Sequence, residues 1–313
     1  MGTPALSIPS LRALVDAGHD IRLVVTQPSR HAGRGLRESL PPVGRAAAEL
    51  GLEIYQPRGL RSDAARARIA AADTEVIVVV AFGRILPPSI LALPRRGPVN
   101  VHLSLLPRHR GASPISGAIL AGDEATGASI MLMDEGLDTG PILAQAQTPI
   151  GPDDDEVTLS ERLSRLGAAL LVDALIGWEA GHIEPRAQDD GAATWTALTV
   201  REDGHLDWTD PAISLWRRVR AYAAWPQAFT LWDGKLLRIL RAEASGSRAQ
   251  GPAGSVRGLA DGRRPKGIAV ATGDGELIPR VLGLEGRKAM PVEAFLRGQP
   301  GFVGAQLGQR DGF

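Results

Sequence analysis

Two hydrophobic periods alternate along the first two thirds of this chain. Residues 7–17, 42–50 and 62–72 carry apolar side chains at helical spacing; in the first of these, Leu11, Leu14 and Val15 share one face. Residues 21–26, 52–55 and 75–82 are short apolar runs, the last almost wholly branched. Runs of that kind suit strands covered on both faces of a parallel sheet. Helices and strands in alternation predict a doubly wound, mostly parallel α/β sheet. Residues 98–103 follow strict period two: Val99, Val101 and Leu103 alternate with Asn100, His102 and Ser104. On a strand the three polar groups then share a face, with Asn100 and His102 about 6.5–7 Å apart. Pro107 ends the strand and Gly111 permits a turn. Ser113 and Pro114 open a helix. Strands are expected at 128–133 and 141–150 and a long helix at 158–180. The acidic residues 153–156 suit the positive start of that last helix. Ligands of such sheets bind beyond the carboxyl ends of strands, which is where residues 98–103 present a carboxamide and an imidazole.

The pattern changes after residue 182. Residues 182–200 are polar, interrupted by Pro185 and Gly191, and lack periodicity, as a linker does. Beyond them, short apolar runs are split by glycine turns at 233–234, 251–254 and 273–275, the pattern of a small barrel. A length of 313 residues also favours two domains. The expected boundaries are 1–183 for a catalytic domain, 184–200 for a linker and 201–313 for the barrel. Trp216, Trp225 and Trp232 are expected in its core rather than as stacking platforms for bases.

Composition narrows the function. Apolar residues make up 44% of the chain, enough for packed cores, yet no run reaches the length of a membrane span. No signal sequence is legible at the start. The absence of cysteine excludes disulfides and thiolate metal sites and is compatible with the cytoplasm. The histidines are scattered, so no metal is expected. Net charge is zero but unevenly spread: residues 1–200 carry −5 and residues 201–313 carry +5. A basic last third hints at a polyanionic partner.

The motif Asn100-x-His102-x-Ser104-Leu105-Leu106-Pro107-x-x-x-Gly111, with Asp138 in a glycine-flanked loop further on, resembles the signature of the folate-dependent formyltransferases. The likeness extends from Met1 to about Arg297. It implies a Rossmann-like catalytic domain, a C-terminal OB-like barrel, and transfer of a formyl group from 10-formyltetrahydrofolate to an amine. Asn100, His102 and Asp138 are then the catalytic residues. His102 handles the amine proton, Asn100 donates to the formyl oxygen, and Asp138 orients His102. Ser104, Leu105, Leu106 and Pro107 are the folate segment, and residues 82–87 resemble a segment beside it. No metal is implied. Residues 27–35 are similar to a loop by which members acting on initiator tRNA enter the acceptor end, and Arg34 matches that loop's arginine. Residues 217–232 and 271–276 resemble the tRNA-binding C-terminal domain of those members. The implied partners are thus methionyl initiator tRNA and the folate, with a cytoplasmic monomer and no membrane. The implied reaction is formylation of the free amino group of that charged tRNA, in support of translation initiation.

Some positions depart from the pattern. Leu36, Arg37 and Glu38 stand where lysines usually follow the loop, which predicts fewer phosphate contacts. His109 replaces an aromatic residue and Leu198 a lysine. A first apolar strand of the family is also missing ahead of Gly2-Thr3-Pro4. Its loss would remove about 10 kcal/mol at ~1.5–3 kcal/mol per buried side chain. The expected start therefore lies upstream, and restoring in-frame upstream codons is expected to stabilise the protein. Two other functions share part of the pattern: formylation of a small amine such as a purine precursor or amino sugar, and tRNA binding without catalysis. The 27–35 loop and the basic last third disfavour the first, and the intact trio disfavours the second.

Overall fold

The computed structural model describes residues 1–32, 37–260 and 265–308, which fall into two compact units. The first comprises Met1–Pro114, Glu124–Ile150 and Leu159–Ala197. In chain order it runs α1 (Ile8–Asp16), β1 (Val24–Val25), β2 (Arg30–Ala32), β3 (Arg37–Ser39), α2 (Pro42–Glu49), β4 (Ile54–Tyr55), α3 (Asp63–Ala70), β5 (Ile77–Val79), α4 (Pro88–Leu91), β6 (Pro98–His102) and β7 (Arg110–Gly111). After α5 (Pro114–Ala121) come β8 (Ala125–Leu132), β9 (Ile142–Pro149), α6 (Glu156–Glu179) and β10 (Trp195–Thr196). Ser62 caps α3 by accepting from the Ala65 amide at 3.2 Å, where the sequence pattern placed the helix start. The segment expected as a loop at 27–35 enters a short hairpin of β2 with β3. Arg34 lies outside the described residues.

β1 pairs with β4, and β5 with β6, in parallel. β6 then pairs antiparallel with β8, and β8 with β9, giving the order β5-β6-β8-β9. Helices link the parallel strands, whereas a short loop joins β8 to β9 as a hairpin. β6 is buried along its whole length. From Leu159 onward α6 covers this sheet, with Leu159, Leu163, Leu171 and Leu175 buried. Gly167 lets it approach: a Cβ there would stand 2.8 Å from the Val101 side chain. Among the described residues no helix is long and apolar enough to cross a membrane.

Met1 and Gly2 stand between β1 and β5. The Gly2 amide donates to Val25 O at 3.1 Å, and the Val80 amide donates to Met1 O at 2.9 Å. The Met1 amino group donates to Val78 O at 2.6 Å. Beside it lies a cavity of about 130 Å³ lined by apolar side chains that include Leu14, Ile21, Leu23, Ile69 and Ile77. Met1 as a residue is half-buried, but its amino group is enclosed, and burial pushes its pKa down to about 5.

The second unit comprises Ile115–Asp123, Gly151–Thr158 and Leu198–Phe313. Its main elements are α7 (Ala212–Ala221), β11 (Ala228–Trp232), β12 (Lys235–Ser245), β13 (Val256–Ala260), β14 (Pro265–Ala271), β15 (Glu276–Leu284), β16 (Met290–Pro291) and α8 (Val292–Gly298). The strands pair antiparallel in the order β11-β12-β15-β14-β13, with β16 on β15. Among the described residues no pairing joins β11 to β13, so these strands form an antiparallel sheet without a closed barrel. Its core gathers Leu206, Leu215, Leu237, Ile268 and Leu277. Trp216 and Trp232 pack against that core, as expected. Trp225 does not; it is 57% exposed. It lies just past the end of α7, beyond the helical stripe that turns apolar residues inward.

Trp208 and Thr230 are both buried, and the indole N–H donates to the Thr230 hydroxyl at 3.0 Å. Thr230→Val keeps the shape but strands that donor. It is expected to cost about 1–3 kcal/mol in urea unfolding, the penalty of an unpaired buried group.

Candidate active site

β6 carries the two polar side chains that the period-two pattern placed together. Asn100 is 8% exposed and His102 is 5% exposed. Asp138 reaches them from the loop between β8 and β9. Asn100 Nδ2 donates to Asp138 Oδ1 at 3.3 Å. His102 Nδ1 stands 3.6 Å from Asp138 Oδ2. The Gly111 amide donates to Asp138 Oδ2 at 2.9 Å. The three residues expected to act together therefore converge on one carboxylate. Asp134 and Glu135 of the same loop are solvent-facing.

Hydrogen bonding distinguishes the two nitrogens of His102. Nε2 lies 2.9 Å from His109 O. A carbonyl only accepts, so Nε2 carries the hydrogen and donates. Nδ1, beside Asp138, is the nitrogen left to gain or release a proton. Asn100 has two amide hydrogens, and one is taken by Asp138. The other is free to meet an incoming oxygen.

The stretch from Ser104 to Gly111 turns sharply after β6. Ser104 Oγ donates to Arg108 O at 2.6 Å. Ser104 and Leu106 are buried, while Leu105 and Pro107 are half-buried. Leu106 packs with Met131 and Ile142. Its amide donates to Ser129 Oγ at 3.0 Å, and Gln145 Nε2 donates to Leu106 O at 2.9 Å. Of the expected folate segment, Leu105 and Pro107 thus keep side-chain surface open, and Ser104 and Leu106 anchor the turn. His109 has φ +58° and is buried. Gly111 has φ +108°, and a Cβ there would stand 2.2 Å from Thr196 O, so only glycine fits.

The segment expected as a linker supplies the other wall. β10 pairs in parallel with β7, Trp195 opposite Arg110 and Thr196 opposite Gly111. The His109 amide donates to Thr194 Oγ1 at 2.8 Å, and the Arg110 amide to Thr194 O at 2.8 Å. Arg110 is 2% exposed. Its guanidinium donates to Gln188 Oε1 through Nε at 3.0 Å and to Asp190 Oδ1 at 2.7 Å, and lies 5.4 Å over the Trp195 ring. Sequence reasoning missed Arg110, Gln188, Thr194 and Thr196. The last three lie in a segment with no apolar period, and for all four a polar residue's partner leaves no mark in the pattern of its neighbours.

Comparison with known proteins gives two family matches. A family described as formyl transferase matches residues 2–175, and one described as formyl transferase, C-terminal domain, matches residues 199–300. A methionyl-tRNA formyltransferase of Acidiphilium cryptum (strain JF-5) is 46% identical over 309 residues, covering 98% of each chain. Among solved structures, the sugar 3N-formyl transferase WlaRD, in the presence of dTDP and 5-N-formyl-THF, aligns with a TM-score of 0.65 at 13% identity, over 92% of this chain and 97% of that one. HypX from Aquifex aeolicus, in complex with tetrahydrofolic acid, aligns with a TM-score of 0.57 at 19% identity, over 80% of this chain. This chain spans 43% of that longer protein. At such identities the two structures show likeness of fold.

Proposed function

The chain belongs to the formyl transferase family, and from that premise we propose that it formylates the free amino group of methionyl initiator tRNA in the cytoplasm. Near-complete coverage by a relative that bears this activity's name is the observation that carries the reading. The basic last third supports a tRNA substrate, because a small amine needs no such surface. Arg34 is assigned to the tRNA from its sequence context.

10-Formyltetrahydrofolate supplies the activated formyl carbon when bound. The donor set suits it, since Asn100 has one amide hydrogen to spare on the polar face of β6. Leu105 and Pro107 offer apolar surface to a pterin. Catalysis requires a proton acceptor for the attacking amine and a donor for the oxygen that gains charge. His102 Nδ1 takes the proton, the Asp138 carboxylate at 3.6 Å stabilises the imidazolium that results, and that proton is then available to the folate nitrogen released as its bond to the formyl carbon breaks. The bond from Nε2 to His109 O keeps the ring from turning away. Asn100 donates its second hydrogen to the developing oxyanion. Asp138 also accepts from Asn100, which aims the carboxamide.

The test is transfer of formyl from 10-formyltetrahydrofolate, first to methionyl initiator tRNA and then to free amino sugars and purine precursors. Efficient transfer to the tRNA alone supports the reading. Transfer to a small amine with none to the tRNA overturns it.

A further inference from the structure

Asp138 is held in an unusual backbone conformation. Its φ is +55°, in the left-handed region that most residues with a Cβ avoid and that aspartate enters at modest cost. The Gly111 amide and Asn100 hold the carboxylate, as described above. The main chain is held separately, by one side chain. Gln188 Nε2 donates to Asp138 O at 2.9 Å and to Gly140 O at 2.7 Å. Both carbonyls bracketing the end of the catalytic loop therefore hang on a single amide.

The orientation of that amide is itself fixed. Gln188 Oε1 accepts from Arg110 Nε at 3.0 Å and from a terminal nitrogen of the same guanidinium at 2.9 Å. A guanidinium only donates and a carbonyl only accepts, so the amide has one possible orientation. Arg110 is in turn immobilised by its burial, by Asp190 and by Trp195. It also precedes Gly111, whose amide holds the Asp138 carboxylate. The chain of bonds closes on itself: from the Asp138 carboxylate to Gly111, back through the Arg110 side chain to Gln188, and on to the Asp138 carbonyl.

We propose that Gln188 is a positioning residue for catalysis, locking Asp138 in its left-handed conformation so that its carboxylate stays opposite His102 Nδ1. The inference rests on the role given to Asp138 above. Gln188 does not touch the reacting groups; it acts through the backbone of Asp138. Without its amide hydrogens the loop relaxes toward an ordinary conformation. The carboxylate then drifts from the imidazole while Asn100 and His102 remain on β6. The consequence is loss of turnover with substrate binding kept.

Two variants separate this from a general loosening. Gln188→Met keeps the length and removes the amide. Gln188→Glu still accepts from Arg110 but cannot donate to the two carbonyls, so Arg110 stays engaged even if the methionine variant folds poorly. Formyl transfer to methionyl initiator tRNA is measured for each, alone and combined with Asp138→Asn. Each single variant is expected to lower kcat about tenfold or more with KM for both substrates within about twofold. In the Asp138→Asn background either Gln188 change is expected to alter kcat less than about twofold, since the group it positions has already lost its charge. Normal turnover in Asp138→Asn would sink the reading of the trio itself. A large loss in Asp138→Asn with parental turnover in both Gln188 variants would overturn the Gln188 assignment alone. Equal losses from Gln188 changes with and without the Asp138 carboxylate would do the same.

Discussion

His102→Ala is expected to lower turnover by about 10²–10⁴-fold, and Asn100→Ala by about 10²–10³-fold, with KM for the tRNA little changed. The first figure is the worth of a positioned general base, the second that of one oxyanion donor. Both side chains are buried on β6, so stability must be measured alongside activity. His102→Ala also leaves His109 O without its donor, at a cost of about 1–3 kcal/mol. His102→Gln separates the two effects. Its amide can donate to the same carbonyl, yet it has no basic nitrogen. It is expected to recover much of the lost stability and none of the turnover. Single-turnover transfer and urea midpoints read the two quantities independently. Parental turnover in His102→Gln would show that no proton passes through this ring, and the chemistry would need another base.

The stability of the chain with a free Met1 amine is expected to rise by several kcal/mol between pH 5 and pH 8. Enclosure between β1 and β5 drops the pKa of this amine from 8.0 to about 5. At about 1.4 kcal/mol per pH unit, that drop is worth roughly 4 kcal/mol. The sign follows from proton counting. Between the two values the unfolded chain holds a proton that the folded chain does not, so stability increases with pH. Above pH 8 the amine is neutral in both states and the cost vanishes. Below pH 5 the cost is full. Replacing the charge by a peptide bond removes the effect, because an amide donates to Val78 O without needing to be discharged. Urea unfolding at pH 5.5 and 8.5, for the chain with a free Met1 amine and for a form with residues added ahead of it, measures the gain. Parallel losses in the two forms on acidification would mean that the amine reaches water in the folded state.

Several features of the fold were legible without coordinates. The alternation from Val99 to Ser104 placed Asn100 and His102 on one face, because side-chain direction on a strand depends on the backbone alone. The helices α1, α2 and α3 and the strands β1, β4 and β5 fell within the segments that their apolar periods marked, although the ladders are shorter than the runs. Asp138 was reached through its resemblance to a known motif, since nothing in its glycine-rich loop points toward β6.

Other features came only from the tertiary structure. Periodicity records how one element divides its residues between water and core. It carries no information on which distant polar groups meet. Arg110 and Gln188 are 78 residues apart, and no local pattern announces their pairing. For that reason the segment read as a linker emerged as a wall of the site. The same limit applied to the two nitrogens of His102: the sequence supplied an imidazole, and the carbonyl of His109 decided which nitrogen is left for chemistry. The sequence by itself determined which side chains β6 offers. The folded chain decided what holds them, because hydrogen bonds between remote segments form only when packing has brought those segments together.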